Sequence, residues 1–227
     1  MNILIIPARY GSKRIKKKNL KNFYGKPIIS YSIAAALKTK IFGKIIVSTD
    51  SKKIKKIAEN FGAEVPFMRP KKLSGDKVKA QDVIVHAIKF LIKKRVKFNN
   101  VCCIYPTAAL VKPNNIKKGL KKLNDGWKYV FSACAFERST LRSFKVDGDK
   151  RVKFLNPNYI NTNTQDLQKT YFDAGQFYWA KKEDWLKSNL YLLKGTIVEL
   201  DTKYVQDLDY KKDFQLLKNN YKKLNKK

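Results

Sequence analysis

The sequence is short of acidic residues, histidine and cysteine. Its 227 residues include 18 Asp and Glu against 50 Lys and Arg, one histidine and three cysteines. A lone histidine, His86, cannot build a metal site, and the cysteine spacing matches neither a zinc site nor a disulfide framework. No Ser–His or Cys–His pair is evident, which argues against acyl-transfer hydrolysis. Cys102 and Cys103 lie in VCCIYP, where buried thiols act as small apolar side chains.

Long apolar runs are also missing. No stretch approaches the roughly 20 apolar residues that cross a bilayer, and Met1–Leu4 does not begin a signal peptide. We therefore expect a cytoplasmic protein without a membrane partner. A chain of 227 residues fits one domain with a small appendage and can bury a sizeable core.

The scarcity of acids leaves a formal net charge of +32. Such a field attracts polyanions, and a nucleic-acid-binding protein is one reading of it. Lysine far outnumbers arginine, however, and the lysines are spread along the whole chain rather than gathered in one stripe. Because base readout relies largely on Arg, we favour a compositional origin and expect no specific nucleic-acid partner.

Apolar strand-like segments alternate with amphipathic helical segments over most of the chain. In order, they are NILIIPA, KPIISYSIAAALKTK opening at Pro27, KIIVSTD, SKKIKKIAENFG, VKAQDVIVHAIKFLIKKR, NVCCIYP, PNNIKKGLKKLND and YVFSACAF. This alternation predicts βαβ units and a mostly parallel sheet, which is an α/β fold.

The pattern changes over residues 137–172, which have no strong helical period. SFKVDGDKRVKFL predicts a hairpin turning near Asp147-Gly148, and NPNYINTNTQDLQ is polar and irregular. We interpret 137–172 as an inserted arm, and 1–136 with 173–227 as the α/β domain. In the latter part AGQFYWAKKEDWLK predicts a strand and a helix, GTIVEL a strand, and a last helix starts near Asp209 and ends in a frayed KKLNKK tail.

The end of the first predicted strand, IIPARYGSKRIKKKN, is basic. In open α/β sheets, ligands bind beyond the carboxyl ends of the strands. Arg9, Lys13 and Lys18 supply charge for a polyphosphate, Ser12 can donate a hydrogen bond, and Gly11 permits close backbone approach. The segment is neither a Walker A loop nor G-x-G-x-x-G, and a solvated basic loop would read similarly.

Two acidic positions have both a ligand and a capping interpretation. Asp50 in STD could bind a ligand or metal, but we favour capping of the following helix. Asp207 and Asp209 in VQDLDYKKDF lie two apart and would face one side of an extended chain, as a Mg²⁺ site requires. Alternatively, Asp209 caps the last helix. With the phosphate loop, these carboxylates indicate nucleotidyl transfer, which depends on positioning and charge neutralisation.

The sequence resembles the sialic acid cytidylyltransferases, the CMP-sialic acid synthetase (acylneuraminate cytidylyltransferase) family, over nearly its whole length. IIPARYGSKRIKKKN is similar to the first motif, and the segment from VSTDSKKIKK to RPKKLSGD, then IYPTAAL and VQDLDYKKDF, match in order. FDAGQFYW and CCIY resemble the pseudaminic acid cytidylyltransferase branch. The resemblance implies a Rossmann-like three-layer fold of the nucleotide-diphospho-sugar transferase type, and a homodimer joined through 137–172.

The resemblance also implies roles for matching positions. Arg9, Lys13, Lys18 and Asp207 would be catalytic. Asp207 and Asp209 would hold Mg²⁺, or Mn²⁺. Tyr105, Gln176 and Tyr178 would lie near the sugar, although Phe177, Tyr178 and Trp179 could equally form a plain core strand. The implied CTP-binding set is Ala8, Arg9, Gly11, Ser12, Lys13, Lys18, Asn19 and Arg69.

The implied reaction transfers CMP from CTP to a nine-carbon nonulosonic acid, with pseudaminic acid as the implied sugar, and releases pyrophosphate. The sugar's anomeric hydroxyl attacks the α-phosphorus. Alternative acceptors are legionaminic acid, N-acetylneuraminic acid and 3-deoxy-manno-octulosonate. A nucleic-acid-binding protein and an inactive scaffolding relative stay open as alternatives of other classes. The family's products usually enter flagellin or cell-surface glycans.

Overall fold

A six-stranded sheet forms the centre of the molecule. The structure is a computed structural model that describes residues 1–187 and 194–225. The strands of this sheet are β1 (Asn2–Pro7), β4 (Phe42–Ser48), β5 (Asn100–Ile104), β6 (Tyr129–Ala135), β9 (Tyr171–Lys181) and β10 (Gly195–Glu199). The strand order is β10-β6-β9-β5-β1-β4, and β9 runs antiparallel to β5 and β6 while the other neighbours are parallel.

Helices cover both faces of this sheet and give three layers. They are α1 (Ile29–Thr39), α2 (Lys52–Asn60), α3 (Ala80–Lys93), α4 (Pro113–Asn124), α5 (Lys182–Trp185) and α6 (Lys211–Leu224). Apolar residues of α1, α2 and α4 share one core cluster, and those of α3 share another with Trp185 of α5. The predicted α/β class with a mostly parallel sheet is confirmed.

The first strand shows why the sheet is buried on both sides. Leu4 and Ile6 belong to the cluster under α1, α2 and α4, whereas Ile3 and Ile5 belong to the cluster under α3. Successive side chains point to opposite faces, so an unbroken apolar run is what a doubly covered strand requires. All four side chains are 0% exposed. Since β4 and β5 flank β1, the chain reverses its direction across the sheet at β1, where ligands bind in such folds.

The arm contains the predicted hairpin. Strands β7 (Phe144–Val146) and β8 (Val152–Phe154) pair antiparallel, separately from the central sheet, and Lys150 N donates to Asp147 O in the turn. Strand β9 starts at Tyr171, so the last two residues of the predicted arm belong to the central sheet. The division into a domain and an arm stays a prediction.

Two helix boundaries differ from the predictions. Pro27 belongs to a small hairpin of β2 (Asn22–Phe23) and β3 (Lys26–Pro27), so α1 begins at Ile29 instead of Pro27. The predicted frayed tail is wrong up to Leu224, because α6 continues to that residue. Tyr221 and Leu224 pack on an apolar cluster there, which explains the extra turn. The last two residues of that tail lie outside the described residues. No helix of the described chain has the length and apolar character needed to cross a membrane.

Candidate active site

A cleft of about 630 Å³ opens at the carboxyl ends of β1 and β5. The chain after β1 forms one wall, and Tyr105 to Thr107, directly after β5, contribute to the floor. The segment before α6 adds Asp207 and Asp209. The predicted site residues that line the cleft are Arg9, Ser12, Lys13, Lys18, Asn19, Arg69, Tyr105, Asp207 and Asp209.

Hydrogen bonds from backbone amides hold residues 8–19, called the basic loop below, against the sheet. Ala8 is fully buried and its N donates to Ser48 O at 2.9 Å, and Tyr10 N donates to Asp50 Oδ1 at 2.7 Å. The buried Asn19 donates from Nδ2 to Arg9 O at 2.8 Å, which ties the two ends of the loop together. Within the described chain, Asn19 Oδ1 has no hydrogen-bond partner, so an acceptor is left in the cleft wall.

The predicted cap at Asp50 is wrong. Ser51 is the N-cap of α2, because its Oγ accepts a hydrogen bond from Ile54 N at 3.4 Å. The Asp50 carboxylate instead accepts from Tyr10 N and positions the loop that follows β1. Both residues suit an N-cap by type, so the sequence did not distinguish them.

Lys18 lies where the basic loop meets the acidic segment. Its Nζ donates to Leu208 O at 2.7 Å. Burial lowers the Lys18 pKa, and the nearby charges of Asp207 and Asp209 partly offset this effect. The lysine therefore ties the segment before α6 to the loop after β1.

Asp207 and Asp209 face the cleft on either side of a buried residue. Leu208 is 0% exposed and packs with Ile15 and Leu217, so alternation turns both carboxylates the other way, as the spacing predicts. Asp207 Oδ1 accepts from Leu208 N at 2.7 Å, and Asp209 Oδ2 pairs with an Arg14 nitrogen at 2.8 Å.

Asp209 is not the cap of the last helix. The N-cap of α6 is Tyr210, and Asp213 Oδ2 accepts from Asp209 N at 2.9 Å and from Tyr210 N at 2.6 Å. The capping alternative for Asp209 is therefore wrong, and its carboxylate is left for the cleft. Apart from residues 188–193 and 226–227, no group of three or more Asp, Glu, His or Cys side chains could hold a metal ion. This site would offer a cation two carboxylates, with any further ligands coming from substrate.

Arg69 lies deep in the cleft. It is 6% exposed, and its guanidinium donates to Ser48 Oγ at 3.2 Å and to the Ser48 carbonyl oxygen. Burial lowers its pKa to about 10, while Asp50 opposes the shift. The side chain is held rigidly at the end of β4.

Four predicted site residues are not part of the cleft wall formed by residues 1–187 and 194–225: Ala8, Gly11, Gln176 and Tyr178. A Cβ at Gly11 would meet nothing within 4 Å, so this structure shows no steric need for glycine there. Gln176 is buried and donates from Nε2 to Tyr204 O at 2.6 Å. Their ligand-binding roles stay predictions.

Tyr178 lies next to Tyr105, beside the cleft floor. The two ring centroids are 5.2 Å apart, and the Tyr178 hydroxyl donates to both oxygens of Asp173 at 2.9 Å. Partial desolvation raises the Asp173 pKa, and the negative charge of Asp207 raises it further. Tyr178 also belongs to a core cluster, so the core-strand reading of this residue holds in the structure.

The sequence analysis missed Asp76, Arg14 and Thr107, which all line the cleft. Asp76 bridges two basic residues of the loop: its Oδ1 is 2.6 Å from an Arg9 nitrogen and its Oδ2 is 3.0 Å from Lys13 Nζ. These bonds lower the Asp76 pKa, with Lys13 as the first cause and Arg9 as the second. Asp76 is the last residue of RPKKLSGD, but that motif does not predict its pairing with Arg9 and Lys13, because these partners lie more than sixty residues earlier in the chain.

Basic side chains at the carboxyl end of a mostly parallel sheet share one cleft with two carboxylates, which is an arrangement suited to nucleotidyl transfer. Comparison with known proteins gives the particular family. The model of the cytidylyltransferase family matches residues 3–227. The chain therefore belongs to the cytidylyltransferases, enzymes that use CTP, and the predicted enzyme class is confirmed.

Curated relatives and solved structures agree with this assignment. The chain is 37% identical over 221 residues to the pseudaminic acid cytidylyltransferase of Campylobacter jejuni, a match that covers 93% of this chain and 94% of the relative. It is 33% identical to a Helicobacter pylori protein named as that enzyme fused to a hydrolase, over 94% of this chain and 41% of the relative. A CTP complex of CMP:2-keto-3-deoxy-manno-octonic acid synthetase has the same fold, with a TM-score of 0.71 at 16% identity, covering 98% of this chain and 99% of that one.

Proposed function

We propose that the chain transfers CMP from CTP to the anomeric hydroxyl of pseudaminic acid, giving CMP-pseudaminic acid and pyrophosphate. One observation carries the proposal: Arg9, Lys13 and Lys18 line the same cleft as Asp207 and Asp209. The full-length similarity to a relative named for pseudaminic acid supports the choice of sugar.

The cleft side chains divide into those that bind charge and those that bind the neutral parts of the substrates. Arg9 and Lys13 hold the β- and γ-phosphates, and Lys18 neutralises charge that develops as pyrophosphate leaves. Arg69 fixes the cytosine end, because its guanidinium is already held by Ser48. Tyr105 forms the floor on the sugar side.

The acidic pair fits a divalent metal. Mg²⁺ is usually bound by one or two carboxylates together with substrate phosphates, which matches Asp207 and Asp209. When bound, Mg²⁺ or Mn²⁺ would neutralise triphosphate charge and help the leaving group depart. Asp209 must exchange its pairing with Arg14 for the metal, whereas the Asp207 carboxylate already faces the cleft.

The reaction is tested by measuring pyrophosphate release with CTP and Mg²⁺ against a panel of sugar acids. The panel contains pseudaminic, legionaminic, N-acetylneuraminic and 3-deoxy-manno-octulosonic acids. Release with pseudaminic acid alone is expected. Release with a different sugar would discard the substrate and keep the reaction class. No release from folded, CTP-binding protein would contradict all four candidate reactions.

We also propose that residues 137–172 join two copies of the chain in a homodimer. Several apolar side chains of this arm are exposed: Phe144 by 54%, Val146 by 60%, Val152 by 56% and Leu155 by 49%. An exposed apolar patch of this kind is typical of a protein–protein contact.

Because CTP is made in the cytoplasm, the reaction would take place there.

Light scattering of the Val146→Lys, Val152→Lys double variant tests the dimer. We expect dimers for the wild type and monomers for the variant. Ile92→Lys is a matched control, because Ile92 is 46% exposed on α3, away from the arm. A monomeric wild type, or a double variant that still dimerises, would contradict the proposal.

A further inference from the structure

We propose that Asp76 is an internal counter-anion. Between turnovers its carboxylate pairs with the side chains that bind pyrophosphate, and after transfer it competes with pyrophosphate for them. The inference rests on the proposed function, because it assigns Arg9 and Lys13 to the phosphates. It gives Asp76, the last residue of RPKKLSGD, a role toward the product that the paired carboxylates do not provide.

The geometry of Asp76 is that of a bound anion. It lies in a turn over residues 75–78, where Val78 N donates to Gly75 O, across the cleft from the loop that follows β1. One carboxylate oxygen meets Arg9 at 2.6 Å and the other meets Lys13 at 3.0 Å. Two cations sharing one oxyanion group is the arrangement that a phosphate would adopt with the same side chains.

Other basic side chains of the loop also have acceptors within the chain. Besides the two partners of Asp76, Arg14 pairs with Asp209 at 2.8 Å, and Lys18 donates to Leu208 O at 2.7 Å. Four basic side chains of one loop thus have acceptors on two other segments. A nucleotide that enters the cleft must replace these acceptors with phosphate oxygens.

Exposure makes the Asp76 contacts replaceable. The Asp76 side chain is 36% exposed, Arg9 is 31% and Lys13 is 87% exposed. Ion pairs this accessible to water are individually weak, so a triphosphate with several negative charges displaces a single carboxylate. Asp76 nevertheless lowers apparent anion affinity, because only the fraction of molecules with Arg9 and Lys13 unpaired is competent to bind.

The same competition acts on the product. After transfer, pyrophosphate is held by the side chains that Asp76 would otherwise occupy. The Asp76 carboxylate belongs to the same chain, so its effective concentration near Arg9 and Lys13 is high. It therefore rebinds either side chain when a phosphate oxygen dissociates. Asp76 therefore limits product inhibition at the cost of some affinity for CTP.

The test compares Asp76→Asn with the wild-type full chain in calorimetric titrations with pyrophosphate, without metal and with Mg²⁺. Asn keeps the shape and removes the charge. We expect pyrophosphate to bind about two- to fivefold more tightly, the factor that a weak ion pair corresponds to. In steady-state assays, pyrophosphate should become a stronger product inhibitor by a similar factor. Asp76→Glu should behave like the wild type.

Glu64→Gln is the matched control, since it also removes one negative charge, from a pair with Lys44 at 2.9 Å on another part of the surface. An equal gain in pyrophosphate affinity in this control would show that the effect comes from net charge alone, and it would overturn the inference. Unchanged or weaker pyrophosphate binding in folded Asp76→Asn and Asp76→Ser would also overturn it. Failure of the wild type to bind CTP and pyrophosphate would instead contradict the proposed function itself.

Discussion

Lys18 is the cleft residue at which burial and charge oppose each other. Desolvation lowers its pKa, and the two carboxylates beside it raise it again, with desolvation the larger effect. Because desolvation disfavours the charged form of this lysine, the negative charge of a bound polyanion or leaving group would stabilise the ammonium.

The lowered pKa of Lys18 predicts an alkaline limit of activity. Activity that needs the ammonium is fully present below the folded-state pKa and is lost as pH rises through it, before the ordinary lysine value of 10.5. We expect kcat/KM for CTP to fall in that range, and Lys18→Arg to move the fall to higher pH, because guanidinium keeps its charge. Lys16→Arg, at an exposed neighbour, should leave the profile where it is. Superimposable profiles for Lys18→Arg and wild type would exclude Lys18 as the titrating group.

Replacing Asp207 should affect turnover much more than CTP binding. Removing it with Asp207→Ala should lower kcat by about 100-fold or more, a typical loss for one electrostatic group at a reacting centre. Metal-free CTP binding should change little, because the proposed function assigns the phosphates to basic residues. Isothermal titration and pyrophosphate release measure the two quantities. Glu59→Ala, a change at an exposed residue of α2, is the control. Undiminished turnover in Asp207→Ala would contradict the assignment of Asp207 as a metal ligand.

At the scale of elements, α6 acts as the support of the acidic pair. Its N-terminal turn begins directly after Asp209, and an aromatic cluster anchors the helix to the chain that follows β1. Tyr221 lies 5.0 Å from the Phe23 ring and 5.6 Å from the Tyr31 ring. The helix therefore fixes two sides of the cleft relative to each other.

Asp213 links this helix to the site, and its removal should affect stability and metal dependence together. Asp213→Ala loses the acceptor for Asp209 N and Tyr210 N, so we expect about 1–2 kcal/mol lower unfolding free energy. The Mg²⁺ concentration for half-maximal activity should rise about tenfold, as when an outer-shell partner of a metal ligand is lost. Urea unfolding and Mg²⁺ titration measure these effects.

Ser51→Ala supplies the comparison for Asp213. It removes the cap of α2 and should cost about 1 kcal/mol, without changing the Mg²⁺ requirement. Two equally destabilised variants with the same metal dependence would show that Asp213 is only a helix cap.

At the scale of the molecule, the sequence predicted what depends on local pattern and missed what depends on distant pairing. The apolar run of β1, the helical period of α3 and the Asp147-Gly148 turn are local features, and each appears in the structure. The cap of α2 was assigned to Asp50 instead of its neighbour Ser51, because both residues suit the position by type. The capping box of Tyr210 and Asp213 was not predicted, and Asp209 was only an alternative cap for the last helix. Asp76 required the fold itself, which brings residues far apart in sequence to one sheet edge.

The charge of +32 is the remaining whole-molecule property. The 18 acidic residues cannot neutralise 50 basic ones, so 32 positive charges remain after one-to-one pairing. Such an excess destabilises the compact state by self-repulsion while it attracts anionic substrates. Salt weakens both effects, because the Debye length falls to about 8 Å at physiological ionic strength.

We therefore expect salt to stabilise the fold and to weaken CTP recruitment in the same experiment. Going from low salt to about 0.15 M KCl, the Tm should rise by about 2–4 °C if screening contributes about 1 kcal/mol. The KM for CTP should rise over the same interval. Differential scanning calorimetry and initial rates measure the two, and potassium acetate at equal ionic strength should reproduce both shifts, since screening does not depend on the anion. A Tm that falls with salt would mean that ion pairs such as those of Arg9 and Arg14 outweigh the repulsion between unpaired lysines.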